Sequence, residues 1–588
     1  MNKIGCLVAA SLILSGCSGR FAQSTIRGPV DIDIIAFNDF HGNLEPPRQA
    51  VKVPTASGEI VEVPAGGAAY LASAVTALRS LNPNHVVVSA GDMVGASPLI
   101  SSLFLDEPTV LAMNLIGVDY HAVGNHEFDR GSAELLRLQQ GGCAKHTVGE
   151  PCRIDPAFPG ARFRFLAANV ATADGYTLFP PYAMRDFGRG DRRVRVGFIG
   201  LTLEGTPALV TPAGVAGLRF GDEAETVNAL VPKLRAEGAD AIVVLIHEGA
   251  ATTSGYNDKS CEGLTGDLLP ILDRLDPEID VVVSGHTHNA YVCDYGLVNP
   301  ARPFLVTSAG RYGTMLTRIS LSIDPGSSEV IAKDAGNLIV QSEAFQRPAA
   351  DVAVSDRYPQ YRPDAAVGAL VDRYAAAVAP LADRVVGRLA MPATRDATAA
   401  GEHVLGNLIA DAQLAATSDA AAGGAQIAFM NHGGVRADLV PGPDGRVTYG
   451  QLYTVQPFGN GLVVKTFTGR QLRAALEQQL IASQSGLLPD LLHPSKGFRY
   501  SYDLTRPAGS RIVALSLDGT SVKEEARYRV AVNSFLASGG DNIAVFAEGV
   551  DPISGPNDVD ALEAYLARAG TLAPPDAGRI VRIGEAPR

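Results

Sequence analysis

The chain has 588 residues, more than one hydrophobic core usually organises, so two domains are the starting expectation. Hydrophobic residues make up 46% and charged residues 19%, a composition that excludes disorder over any long span. A formal charge of -13, with no stripe of arginine or lysine, excludes broad nucleic-acid binding but leaves room for a small anionic substrate, because cations and a few arginines can reverse the potential locally.

Met1-Asn2-Lys3 is a short basic start and residues 7–14 form an apolar core too short to span a bilayer, which together read as an export signal. Leu14-Ser15-Gly16-Cys17 resembles a bacterial lipobox, with Cys17 the lipidated new N-terminus; the plainer reading is a cleaved signal in which Cys17 is incidental. The expected address is the periplasm or outer membrane, with membrane contact only through that lipid. Cys143, Cys152, Cys261 and Cys293 remain in the exported body, an even count that favours disulfides. Local pairing, Cys143 with Cys152 and Cys261 with Cys293, is preferred among the possible connectivities, and the absence of Cys-x-x-Cys argues against structural zinc.

After a polar tether at 18–28, a strand at 31–37 runs into Asn38-Asp39-Phe40-His41. Residues 49–64 read as a loop or exposed hairpin and 66–81 as a helix, leading to a strand at 85–90 that ends at Gly91-Asp92. The alternation continues through 93–105 and a helix at 109–117 that closes at glycine, and a strand at 118–123 then delivers Gly124-Asn125-His126-Glu127-Phe128-Asp129. Strands are expected at 163–170 and 193–201, and a helix at 223–238 feeds a strand at 241–246 that stops at His247-Glu248. A polar loop at 251–263 precedes a strand at 280–284 that stops at Gly285-His286-Thr287-His288. Segments 304–309 and 314–322 read as antiparallel strands finishing the first domain, and an alanine-rich helix at 364–381 bridges to a second. There, a helix at 401–416, a strand at 463–467 and a helix at 471–481 mix α and β; no repeats occur, and no apolar run after the leader is long enough to cross a membrane.

Five apolar runs thus end in a metal ligand just beyond the strand. In an α/β sheet the carboxyl ends of strands form the ligand crevice, so these termini can converge. Imidazole with carboxylate suits zinc, manganese, iron or cobalt rather than calcium. Two divalent ions sharing a carboxylate would polarise a phosphoryl group and supply a hydroxide near neutral pH for in-line attack, so hydrolysis of a phosphate ester is the reaction that fits.

In order, Asp39-Phe40-His41, Gly91-Asp92, Gly124-Asn125-His126-Glu127-Phe128-Asp129, His247 and Gly285-His286-Thr287-His288 resemble the signature of calcineurin-like metallophosphoesterases. Asn431-His432-Gly433-Gly434-Val435-Arg436 and the stretch from Asn533-Ser534-Phe535 to Gly539-Gly540-Asp541 resemble the C-terminal domain of 5'-nucleotidases and UDP-sugar hydrolases. The resemblance implies an α/β fold: a signal at 1–17, a four-layer metallophosphoesterase β-sandwich flanked by helices at 29–345, a linker with the bridging helix at 346–382, and a mixed α/β substrate-binding domain at 383–588. It implies one ion on Asp39, His41 and His288, the other on Asn125, His247 and His286, with Asp92 bridging. His126, oriented by Asp129, would act on the phosphoryl or leaving oxygen, while Glu127 and Glu248 would be structural.

By the same resemblance Phe458 and Phe535 would clamp a nucleobase, with Asn431, Gly434 and Arg436 meeting ribose and phosphate and Asp541 near the ribose hydroxyls. Two positions depart from the pattern: Ala399 stands where relatives carry an arginine, for which Arg395 can substitute, and His432 stands where glycine is common. The expected activity is release of phosphate from nucleoside 5'-monophosphates. The alternatives are a 2',3'-cyclic nucleotide phosphodiesterase with 3'-nucleotidase activity, a UDP-sugar hydrolase, or a surface nucleotide-binding protein without turnover. The oligomeric state is open between monomer and homodimer.

Overall fold

The computed structural model describes residues 28–54, 59–190, 192–346, 351–480 and 489–584. The export signal, Cys17, most of the tether and the end of the helix expected at 471–481 lie outside the described residues.

Two six-stranded sheets stack face to face. The first runs, edge to edge, Glu329–Ile339, Met315–Asp324, Val30–Phe37, His85–Ala90, Tyr120–Ala122 and Arg164–Leu166. The second runs Ala290–Asp294, Leu305–Ala309, Val281–Ser284, Ala241–His247, Arg192–Thr202 and Tyr182–Arg189. The period of two along each strand builds the layers. Ile32, Ile34, Ala36, Val86 and Val88 meet Val196, Phe198, Val243, Leu245 and Val283 between the sheets. The alternate residues Ile35, Phe37 and Val87 pack outward under Ala68–Arg79 and Glu107–Ile116, and Ile242, Val244 and Ile246 pack under Glu223–Ala236 and Leu268–Leu272. The result is four layers, helix on sheet on sheet on helix, with both faces of the central parallel strands buried.

Three expectations need correction. The segments expected at 304–309 and 314–322 do not pair with each other: Leu305–Ala309 is parallel to Val281–Ser284 in the second sheet, while Met315–Asp324 is antiparallel to Val30–Phe37 in the first. The chain changes sheet at Gly310 to Gly313, where both glycines have positive φ. The strand expected at 163–170 breaks in two, Arg164–Leu166 and Val170–Thr172, because Asn169 between them donates to the Thr202 and Gly221 carbonyls at 2.6 and 2.9 Å. Finally, the Ala365–Ala382 helix is long and apolar enough by composition to cross a membrane. Its Val367, Leu370, Val371, Tyr374 and Val378 instead pack in the core against the first sheet's helices, and Asp364 caps it by accepting from Ala366 and Val367 N–H at 3.0 Å.

The rest of the chain forms a five-stranded mixed sheet ordered His493–Pro494, Ile427–Met430, Arg527–Asn533, Gly461–Thr468 and Val550–Asn557, with a four-stranded sheet beside it. Helices Val404–Thr417, Gly469–Gln478 and Asp558–Arg568 cover them. Near the C-terminus Arg579 forms a fork to buried Asp411 at 2.7 and 2.8 Å and also donates to the Pro494 carbonyl. Arg579→Ala would strand the Asp411 carboxylate, so we expect a loss of about 3–5 kcal/mol, read as a lower denaturation midpoint. An unchanged midpoint would show the pair to be dispensable.

Cys143 pairs with Cys152 and Cys261 with Cys293. The second disulfide fastens the loop expected at 251–263 to the strand that follows His286 and His288.

Candidate active site

The carboxyl ends of five parallel strands open on one side of the sandwich and place the predicted ligands in two groups. Asp39, His41 and His288 form one; Asp92, His247 and His286 form the other, and in each the candidate ligand atoms lie within 4.8 Å of one another. Asp92 lies between them, with Oδ2 3.0 Å from His247 Nε2 and 3.6 Å from His41 Nε2. Asn125 Oδ1 is 3.1 Å from His247 Nε2, and His288 Nε2 is 3.4 Å from Asp39 Oδ1. All seven predicted ligands come together.

The backbone is bent to achieve this. Asp39, His41, Asp92, His286 and His288 all have positive φ, between 46° and 66°, a left-handed region uncommon for residues other than glycine, though Asp and His enter it more readily than most. Neighbouring glycines provide the room: a Cβ on Gly91 would fall 2.2 Å from His247 Nδ1, and one on Gly124 would fall 2.3 Å from Asp92 Oδ1. Glu127 locks two of the loops together. Its Oε2 accepts from Asp92 and Gly124 N–H at 3.0 and 2.6 Å, and its Oε1 from Met93 and Val94 N–H at 2.8 and 3.2 Å. The buried His121 Nε2 lies 3.2 Å from the same carboxylate.

These residues fit a pair of cations. His41 donates Nδ1–H to the Gly95 carbonyl at 2.9 Å and His247 donates to the Ala90 carbonyl at 2.8 Å, so in the neutral rings both Nε2 lone pairs point into the crevice. There His41 Nε2 faces His288 Nε2 at 3.1 Å, and His247 Nε2 faces two oxygens. Imidazole, amide and carboxylate donors gathered this closely suit a divalent cation. Burial keeps His41 and His288 well below the usual imidazole pKa and lowers His286 to about 4, which leaves neutral donors. Burial also opposes charge on His247, yet the Asp92 carboxylate outweighs it and lifts His247 to about 10.

His126 Nδ1 lies 3.0 and 3.1 Å from the two oxygens of Asp129. Burial lowers its pKa, but Asp129 and Asp92 more than compensate and the net shift is upward. Over this ring stacks Phe458, with centroids 5.5 Å apart and planes at 23°. Arg436 crosses to the same place: its Cζ is 5.9 Å from the Phe458 ring and its Nη2 donates to His41 Nε2 at 3.4 Å. Asn431 donates to Asp541 Oδ2 at 2.7 Å and accepts from Asn533 at 2.9 Å, while burial raises Asp541 to about 6. Phe535 lies against Gly540, where a Cβ would meet its ring at 2.4 Å, and Gly434 sits as tightly against Met430. Arg395 runs beside Arg436, donating to its carbonyl at 3.3 Å.

Sequence reasoning passed over three contributors. Asn38 donates to Asp39 Oδ2 and to the Gly310 carbonyl, both at 2.7 Å. Tyr312 packs edge-on against His41 and His288, and Arg311 lies near enough to His288 to depress its pKa. Arg311 and Tyr312 follow the end of a sixth strand, Leu305–Ala309, the same signal that marked the other five but without a metal ligand in it.

Residues 32–290 match the family described as calcineurin-like phosphoesterase, and residues 385–548 match the 5'-nucleotidase C-terminal domain. The chain is 31% identical to endonuclease YhcR of Bacillus subtilis over 92% of its own length, spanning 40% of that protein. It is 30% identical to the cell wall protein Lmo0130 of Listeria monocytogenes over 92% of this chain and 68% of that one. Its fold superposes on the 5'-nucleotidase precursor of Thermus thermophilus with a TM-score of 0.73 at 28% identity, covering 95% of this chain and all of the other. With both halves matched in order around this crevice, the chain belongs to the 5'-nucleotidase family of metal-dependent calcineurin-like phosphoesterases.

Proposed function

We propose that the protein is an exported hydrolase that releases phosphate from nucleoside 5'-monophosphates. The observation that supports this most is the meeting of the two halves: Phe458 and Arg436, from the part matching the nucleotidase C-terminal domain, reach His126 and His41 in the phosphoesterase part. A flat base held by Phe458 and Phe535 and a phosphate met by Arg436 would thereby reach the ligand cluster. In this reading Asp39, His41 and His288 hold one divalent ion and Asn125, His247 and His286 a second, with Asp92 shared; zinc, manganese and cobalt suit the donors. Such ions supply Lewis acidity toward a phosphoryl group and acidify a water to near neutrality.

The protein's own groups do the rest. Arg436 offers a fixed, permanently charged fork to the phosphate. His126, its proton held by Asp129, donates to a phosphoryl or leaving oxygen. Asn431 and Asp541 receive the ribose hydroxyls, with Gly434 allowing close backbone approach. The catalytic part at 29–345 and the recognition part at 383–588 act as separate bodies joined by 346–382, and substrate enters when they part. The close contact of Asp541 N–H with the Ala208 carbonyl at 3.0 Å supports reading this conformation as the closed one. The leader with Cys17 gives export and a lipid anchor, in keeping with a relative named as a cell wall protein.

Phosphate release from 5'-AMP, 3'-AMP, the cyclic AMP isomers, UDP-glucose and single-stranded DNA tests the reading. We expect 5'-AMP to give the highest kcat/KM, and Arg436→Ala to reduce it by about a hundredfold. Preference for a cyclic nucleotide, the sugar nucleotide or DNA would overturn the assignment.

A further inference from the structure

Well away in sequence from the crevice ligands, three histidines converge: His403, His432 and His493, each with a ring nitrogen within 4.8 Å of the others'. They come from separate segments. His403 stands at the N-terminal cap of Val404–Thr417, His432 follows the Ile427–Met430 strand, and His493 pairs with Met430 across the sheet edge. The His403 and His493 rings are fully buried with centroids 3.6 Å apart, and His432 lies 5.3 and 6.2 Å from them.

Their hydrogen bonding is incomplete. Among the described residues, neither ring nitrogen of His493 has a partner, nor does His403 Nε2. Buried polar atoms are normally paired, so unpaired imidazole nitrogens aimed at one another point to a ligand. Burial lowers His403 to about 3, holds His493 well below the usual range and lowers His432 as well. The cluster therefore presents neutral rings, whereas an anion would require imidazolium. Among the described residues the charges acting on His432 are Asp490, whose Oδ1 lies 3.6 Å from His432 Nε2 and favours a cation, and the Arg395 and Arg436 guanidiniums, which disfavour one.

We propose that His403, His432 and His493 form a mononuclear site for a zinc-type divalent ion, with the fourth position open to solvent beside part-exposed His432. Three imidazoles with a water in the fourth position satisfy the tetrahedral preference of zinc. His403 Nδ1 accepts from Gly406 N–H at 3.0 Å, so the metal-free ring carries its proton on Nε2. Ligation through Nε2 moves that proton to Nδ1, so the ring must turn away from Gly406 N–H and the helix gives up that capping hydrogen bond. The ion would pin the loop carrying Asn431, which is bonded to Asp541 and Asn533, and so stiffen the recognition half. None of this depends on which phosphate ester is hydrolysed.

The full chain, stripped with chelator and dialysed against limiting free zinc or cobalt, tests the site by elemental analysis and by the visible absorption of tetrahedral cobalt. Relative to wild type, His432→Gln and His493→Asn should each bind one fewer ion per chain and lose that cobalt band. Asp92→Asn should keep it, and so should separate this site from the crevice. His432 is part-exposed, so His432→Gln should keep its metal-free melting temperature. Equal metal content and an unchanged cobalt spectrum in both histidine variants would overturn the proposal, as would loss of the band in Asp92→Asn alone.

Discussion

Replacing Asp92 by asparagine is expected to slow phosphate release by about a thousandfold or more at saturating metal. Asp92 Oδ2 lies 3.0 Å from His247 Nε2 and 3.6 Å from His41 Nε2, so one carboxylate faces both ligand groups. Its Oδ1 meanwhile accepts from His126 N–H at 2.9 Å and fixes that ring's backbone. Asparagine fills the same volume but brings no negative charge and only one acceptor oxygen. Whichever way the amide turns, its NH2 group faces either a cation or a backbone N–H. Metal content per chain, measured beside kcat, distinguishes loss of an ion from loss of chemistry. A variant turning over within tenfold of wild type, with full metal content, would remove Asp92 from the centre of the site.

The second large effect belongs to a residue that touches no substrate. Glu127 takes four backbone N–H groups, two on each oxygen, from the loops that bear Asp92 and Asn125. In Glu127→Gln one oxygen becomes an NH2 group aimed at two N–H donors, which leaves them unpaired in a buried setting at about 1–3 kcal/mol each. The loops should relax, with metal affinity falling about 10–100-fold and the melting temperature dropping in parallel. Titration with zinc, followed by activity and by thermal melts with and without metal, reads both. Wild-type affinity in a correctly folded variant would show that the strands alone hold the loops in place.

Much of this was legible because apolar runs and their endings are local features. The strand expected at 85–90 is found as His85–Ala90, and each of the five runs ends just before a residue that the structure brings into the crevice. The strand expected at 118–123 shortens to Tyr120–Ala122, since only those residues find parallel partners on both sides. Pairing between distant segments was harder to read: nothing local in 304–309 and 314–322 says that they join different sheets. Tyr312 and Asn38 are ordinary loop residues until the fold brings them beside His41 and Asp39. The stacking of Phe458 on His126 likewise depends on how the two halves of the chain meet. His432 stood out as a departure from the pattern, but its neighbours His403 and His493 could be found only through the sheet-edge pairing with Met430.

The left-handed backbone at Asp39, His41, Asp92, His286 and His288 sets a limit on improving this protein by engineering. Each such residue costs about 1–3 kcal/mol, and the usual remedy, glycine, would delete a side chain that the proposed function needs. Heat tolerance must therefore be sought elsewhere, in loops and surface helices, while these five positions stay uncomfortable for as long as the enzyme works.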